Sequence, residues 1–177
     1  WGQELPGVTL PAPLSGETVT TSSFEGERNV MLACFYTHCP NVCQQMIGQM
    51  RNVQADAIEN GYADEVEFVG VTFDPERDTA DVLREYAVQQ GVTLDAGNWH
   101  FLRPESYERG QELLDENFGL VIEKAPADQH EDLEYRFPHY GLILLANKQG
   151  IVERAYPRGP KTDIERLVAD VERGATA

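Results

Sequence analysis

Basic residues are scarce in this sequence of 177 residues. Lysine and arginine together number 14 against 30 aspartates and glutamates, which gives a formal net charge of −16, and lysine occurs only at Lys124, Lys148 and Lys161. A surface of this charge repels the phosphate backbone, which argues against nucleic-acid binding. The acidic excess is spread along the chain and predicts a halophilic protein. An acidic docking face for a basic partner is the alternative interpretation.

Cysteine and long apolar runs are also limited. Three cysteines in a chain of this length do not form a disulfide scaffold. The longest apolar runs have the length of single buried strands, far short of the roughly 20 residues that a membrane helix needs. No repeat, low-complexity tract or linker interrupts the chain, and a hydrophobic content of 41% suffices for a sizeable core. We therefore expect one domain over residues 1–177.

Apolar strand-like runs alternate with amphipathic helical segments along the chain. Residues 29–36 (NVMLACFY) form an almost unbroken apolar run, typical of a strand buried on both faces. This alternation predicts an α/β fold with helices on both faces of a central sheet, and the residues 7–19 add an N-terminal β-hairpin that turns at Ser15-Gly16. The other predicted elements are helices at 44–58, 79–90, 104–118 and 160–173 and strands at 68–73, 141–146 and 151–156.

Two cysteines lie where the first of these strands passes into a helix. Cys39 is at or just before the predicted helix N-terminus, and Cys43 is about one turn inside it. Unpaired backbone N–H groups and the helix dipole favour thiolate over thiol at such a position. The sequence therefore predicts that this pair ionises readily.

The spacing of Cys39 and Cys43 suits either redox chemistry or metal binding. Residues four apart on a helix have Cβ atoms about 5–6 Å apart, and a relaxed disulfide needs roughly 3.5–4.5 Å. Metal chelation is easier from this geometry, because thiolates select Cu(I), Zn or iron–sulfur iron, with a third ligand supplied by a distant loop. A plain structural disulfide or two unused thiols is the remaining alternative.

Four histidines are the candidates for a third ligand. His139 precedes the apolar run 141–146 and can reach the sheet edge, although a histidine at such a position is more often a loop residue. His38 is a solvent-facing residue or an outer partner of the site, and His100 and His130 are interpreted as surface residues. The third cysteine, Cys34, lies inside the buried strand and is predicted to be a core residue.

Two aspartates follow the predicted strand at 68–73. Asp74 and Asp78 invite a catalytic interpretation, but an aspartate at a helix start is usually a cap, and Arg77 is close enough in sequence to pair. We interpret them as structural residues.

Three motifs resemble the Sco/SenC family of thioredoxin-like copper proteins. The first is Phe35 to Cys43 (FYTHCPNVC), the second is Phe68 to Thr79 (FVGVTFDPERDT), and the third is His139 ahead of a strand and turn that ends at Gly150. The motifs occur in the family's order over nearly the whole chain. The sequence departs from the family pattern at Gln44, where a proline is common, and at Pro138, where an aspartate is common.

The resemblance implies a thioredoxin-like fold with a central mixed sheet and a copper site. It implies that Cys39, Cys43 and His139 are the copper ligands, with Cys39 and Cys43 also a redox-active pair. Pro138 deprives the imidazole of one charged neighbour that would orient it.

The resemblance also implies a role and a location. We expect a copper-binding assembly factor for the binuclear copper site of cytochrome c oxidase, whose partner is the copper-site subunit of that enzyme or another extracytoplasmic cuproprotein. The alternative is a thiol–disulfide oxidoreductase that acts on protein cysteines without carrying copper, and a peroxiredoxin-like peroxidase is a weak third. The implied location is outside the cytoplasm, tethered to the membrane by an N-terminal anchor that precedes this sequence.

Overall fold

The computed structural model describes residues 2–39, 42–119, 142–156 and 163–176. The described elements alternate between strands and helices. In chain order they are β1 Thr9–Ala12, β2 Glu17–Thr20, β3 Asn29–Phe35, α1 Val42–Asn60, β4 Val66–Thr72, α2 Ala80–Gln90, β5 Trp99–Leu102, α3 Tyr107–Phe118, β6 Ile143–Ala146, β7 Val152–Tyr156 and α4 Ile164–Thr176.

Five of the strands form one mixed sheet in the order β5-β4-β3-β6-β7. Strands β3, β4 and β5 are parallel, while β6 is antiparallel to β3 and β7 is antiparallel to β6. Strands β1 and β2 form a separate antiparallel hairpin. The predicted α/β architecture, thioredoxin-like with a central mixed sheet, flanking helices and an N-terminal hairpin, is confirmed.

Strand β3 is the central strand of the sheet. All seven of its residues are buried, as the apolar run predicts. Gly70 on the neighbouring strand faces a tight space, because a Cβ at this position would lie 3.1 Å from Phe35 and 3.0 Å from Phe101. The missing side chain thus lets two aromatic rings pack against the middle of the sheet.

The helix boundaries follow local capping signals. Thr79 caps α2 by accepting from the Val82 N–H at 3.4 Å, and Ser106 caps α3 by accepting from the Arg109 N–H at 3.1 Å. Gly91 and Gly119 end these helices in the left-handed conformation, with φ of 74° and 63°. Helix α3 was predicted from residue 104 but begins at Tyr107, because the Ser106 cap sets its start. The predicted start of α4 near residue 160 lies outside the described residues.

The two faces of the sheet are covered by different segments. Tyr86 of α2 stacks on Phe35 with ring centroids 5.6 Å apart. On the other face, Phe24 from the turn after β2 stacks on His100 with centroids 5.8 Å apart. Cys34 neighbours Phe35 along β3 and therefore points to the face opposite Tyr86.

The N-terminal segment runs beside the β6–β7 turn. Glu4 forms a bridge with Ile151, and the Leu5 N–H donates to the Gly150 carbonyl at 2.6 Å. This end of the sheet holds the first residues of β3, because Val30 pairs with Ala146 of β6. The N-terminal segment is thus placed at the sheet end opposite the residues that follow β3.

Most of the acidic residues that create the net charge lie on the surface. Among the described ones, Glu59, Asp64, Asp81, Glu85, Glu112, Asp115 and Glu116 are exposed. Among the described acids, Asp74, Asp78 and Glu67 are buried. Glu67 pairs with Arg28, and the His100 Nε2 lies 3.2 Å from the Glu67 Oε2. The prediction that His100 is a surface residue is therefore wrong, because its strand turns the ring toward a buried carboxylate.

Candidate metal centre

The cysteine loop follows the carboxyl end of β3, where the ends of the parallel strands gather side chains that carry chemistry. The strand stops at Phe35, and the Cys39 N–H donates to the Tyr36 carbonyl at 3.3 Å. Helix α1 begins at Val42, and the two residues between Cys39 and the helix, Pro40 and Asn41, lie outside the described residues. Cys39 precedes the helix and Cys43 lies in its first turn.

The two cysteine side chains lie next to each other. The Cys43 N–H donates to the Cys39 Sγ at 3.4 Å, so the sulfur takes the place of a helix-capping oxygen. Neither residue forms a disulfide, and their exposed fractions are 5% for Cys39 and 0% for Cys43. The fold therefore presents two adjacent soft donors from which water is almost excluded.

Burial sets the protonation of Cys43. Desolvation raises the pKa of the Cys43 thiol well above its usual range, the neighbouring Cys39 raises it further, and a backbone hydrogen bond from Tyr36 opposes these effects. The prediction that the helix start makes both thiols easy to ionise is wrong for Cys43 in the metal-free protein. The desolvation penalty on a thiolate outweighs the helix dipole here.

Cys34 is confirmed as a core residue. It lies in β3 between buried neighbours and is a free thiol. Burial raises the pKa of the Cys34 thiol to about 12. Because its side chain points to the sheet face opposite Tyr86, it does not join the pair at the start of α1.

Asp78 supports the cysteine loop through hydrogen bonds to Thr37. Its carboxylate accepts the Thr37 N–H at 3.1 Å, the Thr37 hydroxyl at 2.5 Å and the Thr72 hydroxyl at 2.6 Å. The side chain is fully buried; desolvation raises the pKa of the Asp78 carboxyl, and the hydrogen bonds from Thr37 and Thr72 partly offset that rise. The predicted capping role of Asp78 is wrong, because the cap of α2 is its neighbour Thr79.

The other aspartate of the motif, Asp74, is paired with Arg77 as predicted. Asp74 accepts from the Arg77 Nε at 2.5 Å and is buried. The loop that carries it is braced by Arg103, whose Nε and Nη2 donate to the Pro75 carbonyl at 2.9 and 2.6 Å. Asp74 is thus a structural residue of the loop after β4.

His38 lies beside the pair and is partly exposed. Its Nδ1 is 3.0 Å from the Thr37 hydroxyl and 3.7 Å from the Asp78 Oδ1, and 40% of its side chain is accessible. Ligand atoms of His38, Asp74 and Asp78 lie within 4.8 Å of one another. Both carboxylates in this group are held by the hydrogen bonds and the ion pair described above, so the group is a bonded support for the loop.

Tyr86 is a residue of this site that the sequence did not indicate. Its ring is 4% exposed, and its hydroxyl has no hydrogen-bond partner among the described residues. Burial raises the pKa of the Tyr86 hydroxyl, and so does the negative charge that Cys43 and Cys39 carry when ionised. Its ring stacks on Phe35, the last residue of the strand that leads into the cysteine loop.

Thr37 and Thr72 were also missed as supporting residues. Each lies in a motif that the sequence singled out, one before Cys39 and one before Asp74. Both contact Asp78, which is 41 residues from Thr37 and 6 residues from Thr72 in the sequence. Of the remaining predicted residues, His139, Pro138 and His130 lie outside the described residues.

Comparisons with known proteins converge on one family. A protein-family model described as SCO1/SenC matches residues 13–176. A SCO2-like protein from Rickettsia prowazekii (strain Madrid E) is 24% identical over 140 residues, which is 77% of this chain. The chain spans 61% of the length of that curated relative.

Solved structures show the same fold. A SCO1/SenC family lipoprotein from Bacillus anthracis str. Ames gives a TM-score of 0.79 at 24% identity and covers 98% of this chain and 96% of its own. BsSco, a member of the Sco family of cytochrome c oxidase assembly proteins with a disulfide switch, gives 0.78 at 22% identity over 99% and 95%. ScoI from Bradyrhizobium japonicum with copper bound gives 0.72 at 22% identity over 98% of each chain.

Proposed function

We propose, because this chain belongs to the SCO1/SenC family, that it binds copper through Cys39 and Cys43 and helps to assemble the binuclear copper site of cytochrome c oxidase. The observation that carries the proposal is the adjacency of Cys39 and Cys43 at the start of α1, without a disulfide between them and in the family's cysteine motif. Residues 1–177 act in this role as one domain.

The donor set fits a soft metal ion. Thiolate sulfurs favour Cu(I) over hard cations such as Mg²⁺ and Ca²⁺. The sulfurs of Cys39 and Cys43 are already neighbours in the metal-free protein and are shielded from water. On binding, each thiol that becomes a ligand releases one proton, and the metal's charge then stabilises a thiolate that burial alone disfavours.

His139 is proposed as the third ligand on the strength of the family motif. An imidazole nitrogen suits copper in either oxidation state, and it matters more for Cu(II) than for Cu(I), which two thiolates can satisfy. Pro138 leaves this imidazole without the usual acidic neighbour, so we expect a weaker Cu(II) complex than in relatives that have the aspartate.

The same relatives support a proposal for partners and location. ScoI from Bradyrhizobium japonicum has a structure with copper bound, and BsSco is a member of a family of cytochrome c oxidase assembly proteins. We propose a cuproprotein partner outside the cytoplasm, together with thiol-redox partners, and a tether to the membrane like that of the neighbour described as a lipoprotein. Among the described residues, no helix is long and apolar enough to cross a membrane.

A thiol–disulfide exchange role is the second candidate. It is favoured by the adjacency of Cys39 and Cys43 and by the disulfide switch described for BsSco. In this reaction a client disulfide accepts two electrons and two protons from the Cys39–Cys43 dithiol, which becomes a disulfide. The two roles are compatible in one protein. Copper binding uses both sulfurs at once and needs no oxidant, whereas the exchange reaction needs the client disulfide as its oxidant.

An anaerobic titration of the reduced protein with Cu(I) tests the proposal. We expect one copper ion per chain, and we expect Cys39→Ser and Cys43→Ser each to abolish tight binding because one sulfur of the pair is lost. Cys34→Ser is the matched control, because it makes the same substitution on the other sheet face. Copper content is read by metal analysis after gel filtration, and folding is checked by circular dichroism.

Two results would contradict copper binding at this pair. One is the absence of bound copper in the folded wild-type protein, which leaves the exchange role as the explanation of the dithiol. The other is an equal loss of copper in folded Cys34→Ser.

A further inference from the structure

His38 is the exposed neighbour of a pair of buried sulfurs. Cys39 and Cys43 are 5% and 0% exposed, whereas 40% of the His38 side chain is accessible. The imidazole is therefore more accessible from solvent than either sulfur.

The hydrogen bonds around the ring fix its tautomer. The Thr37 hydroxyl donates its single hydrogen to the Asp78 carboxylate at 2.5 Å. Its oxygen can then only accept from the His38 Nδ1, which lies 3.0 Å away. The hydrogen of the neutral imidazole is therefore on Nδ1, and the lone pair is on Nε2.

The remaining nitrogen is available to a ligand. No hydrogen bond of the His38 Nε2 occurs among the described residues, since both polar contacts of the ring are made by Nδ1. Histidines that bind metals usually donate their other ring N–H to an outer partner, which fixes the tautomer and the ring orientation. The Asp78–Thr37–His38 chain provides this arrangement one residue from Cys39.

We propose that the His38 Nε2 is a transfer ligand, which takes copper from a carrier at the surface and hands it to Cys39 and Cys43. This rests on the proposed function. In the first step the Cu–N bond forms as a donor atom of the carrier leaves. In the second step bonds from copper to the two sulfurs replace the Cu–N bond and the last bond from copper to the carrier, each thiol releases one proton to solvent, and the imidazole, neutral throughout, regains its free Nε2 lone pair. Copper remains Cu(I) throughout.

The carboxylates near the ring are not an alternative docking site for the ion. Asp78 accepts three hydrogen bonds, and Asp74 is paired with Arg77. Binding of a cation by Asp78 would remove the support of Thr37 and with it the orientation of His38. The His38 Nε2 can bind and release copper without a rearrangement of the loop.

Transfer kinetics test the proposal. Reduced protein is mixed with the coloured Cu(I)–bicinchoninate complex in a stopped-flow instrument, and the loss of colour gives both a rate and an end point. We expect His38→Ala to slow the transfer several-fold and to leave the end point unchanged, because the resident ligands remain. His100→Gln is the matched control, a histidine substitution on the opposite sheet face, and should transfer at the wild-type rate.

Each other result overturns a distinct claim. A His38→Ala variant that transfers at the wild-type rate overturns the role of His38 alone. A variant whose end point falls in proportion to its rate makes His38 a resident ligand, which also overturns the proposal. A folded wild-type protein that takes no copper at all overturns the proposed function from which the inference starts.

A second readout uses the metal-free protein. Long-range ¹H–¹⁵N spectra report which ring nitrogen is protonated, and we expect the Nδ1–H form for His38. Thr37→Val removes the acceptor, so we expect the Nε2–H form, which is usual in water, to return, and transfer to slow although His38 is intact. An Nε2–H ring in the wild-type protein overturns the proposal.

Discussion

The carboxylate of Asp78 holds Thr37 by both its backbone N–H and its hydroxyl, at 3.1 and 2.5 Å. This double contact ties the loop after β4 to the loop that carries Cys39. The position of the cysteine pair therefore depends on Asp78, which acts through Thr37.

Removal of this carboxylate should destabilise the fold. In Asp78→Ala the Thr37 N–H and the two threonine hydroxyls lose their acceptor in a buried space, and we expect a loss of about 3 kcal/mol in the free energy of unfolding. Asp81→Ala is the control: its carboxylate is exposed, so a change within about 0.5 kcal/mol is expected. Urea denaturation of the reduced protein measures both, and equal effects in the two variants would disprove the supporting role.

Removal of the Tyr86 hydroxyl should not destabilise the metal-free protein. The hydroxyl is buried without a partner among the described residues, so Tyr86→Phe should leave stability unchanged or raise it by up to about 1 kcal/mol. Tyr62→Phe is the matched comparison, because the Tyr62 hydroxyl donates to Asp56, and it should cost about 1 kcal/mol. Thermal or urea unfolding distinguishes the two, and a larger loss in Tyr86→Phe would contradict the assignment.

Alkaline pH should destabilise the reduced protein through the buried Cys34 thiol. Burial raises the pKa of Cys34 to about 12, whereas the unfolded chain has the ordinary value of about 8.5. A group with a raised folded pKa favours the folded state fully below the unfolded pKa, and this contribution is lost as the pH rises through the folded pKa. The free energy of unfolding should thus fall from about pH 8.5 upward, less steeply in Cys34→Ser. Parallel pH profiles for the two proteins would rule out this origin.

Salt should stabilise the protein. The net charge of −16 repels itself, and the Debye length falls from about 10 Å at 0.1 M to about 3 Å at 1 M. Melting temperatures should rise over this range of KCl. A variant with Glu59, Glu85 and Glu116 changed to Gln should be more stable at low salt and less sensitive to salt, because all three side chains are exposed. A melting temperature that is flat or falls with salt would disprove the halophile hypothesis.

Sequence patterns predicted most of the elements because their signals are local, but the short edge strand β5 was not predicted. The apolar run of β3, the Gly61 stop after α1 and the glycine ends of α2 and α3 each lie within a few residues of the boundary they set. Helix α1 is longer at both ends than its apolar periodicity predicted, since the periodicity marks the buried face and not the end residues.

The supporting residues of the site could not be predicted in the same way. Asp78 and Thr79 are adjacent and both are good capping residues, so only the fold decides that Thr79 caps α2 and that Asp78 turns inward to Thr37. The raised pKa of Cys43 has the same origin, because the sequence shows a helix start but not the burial that outweighs its dipole. Tyr86 belongs to an ordinary helical pattern, and its relation to the cysteines exists only in three dimensions.

The bridge between Glu4 and Ile151 fixes where the N-terminal segment lies against the sheet. This bridge lies at the sheet end where β3 begins, and Cys39 follows the end where β3 finishes, seven strand residues or about 20 Å away. A tether joined at the N-terminal segment would therefore hold the cysteine loop on the side of the domain that faces away from the attachment surface.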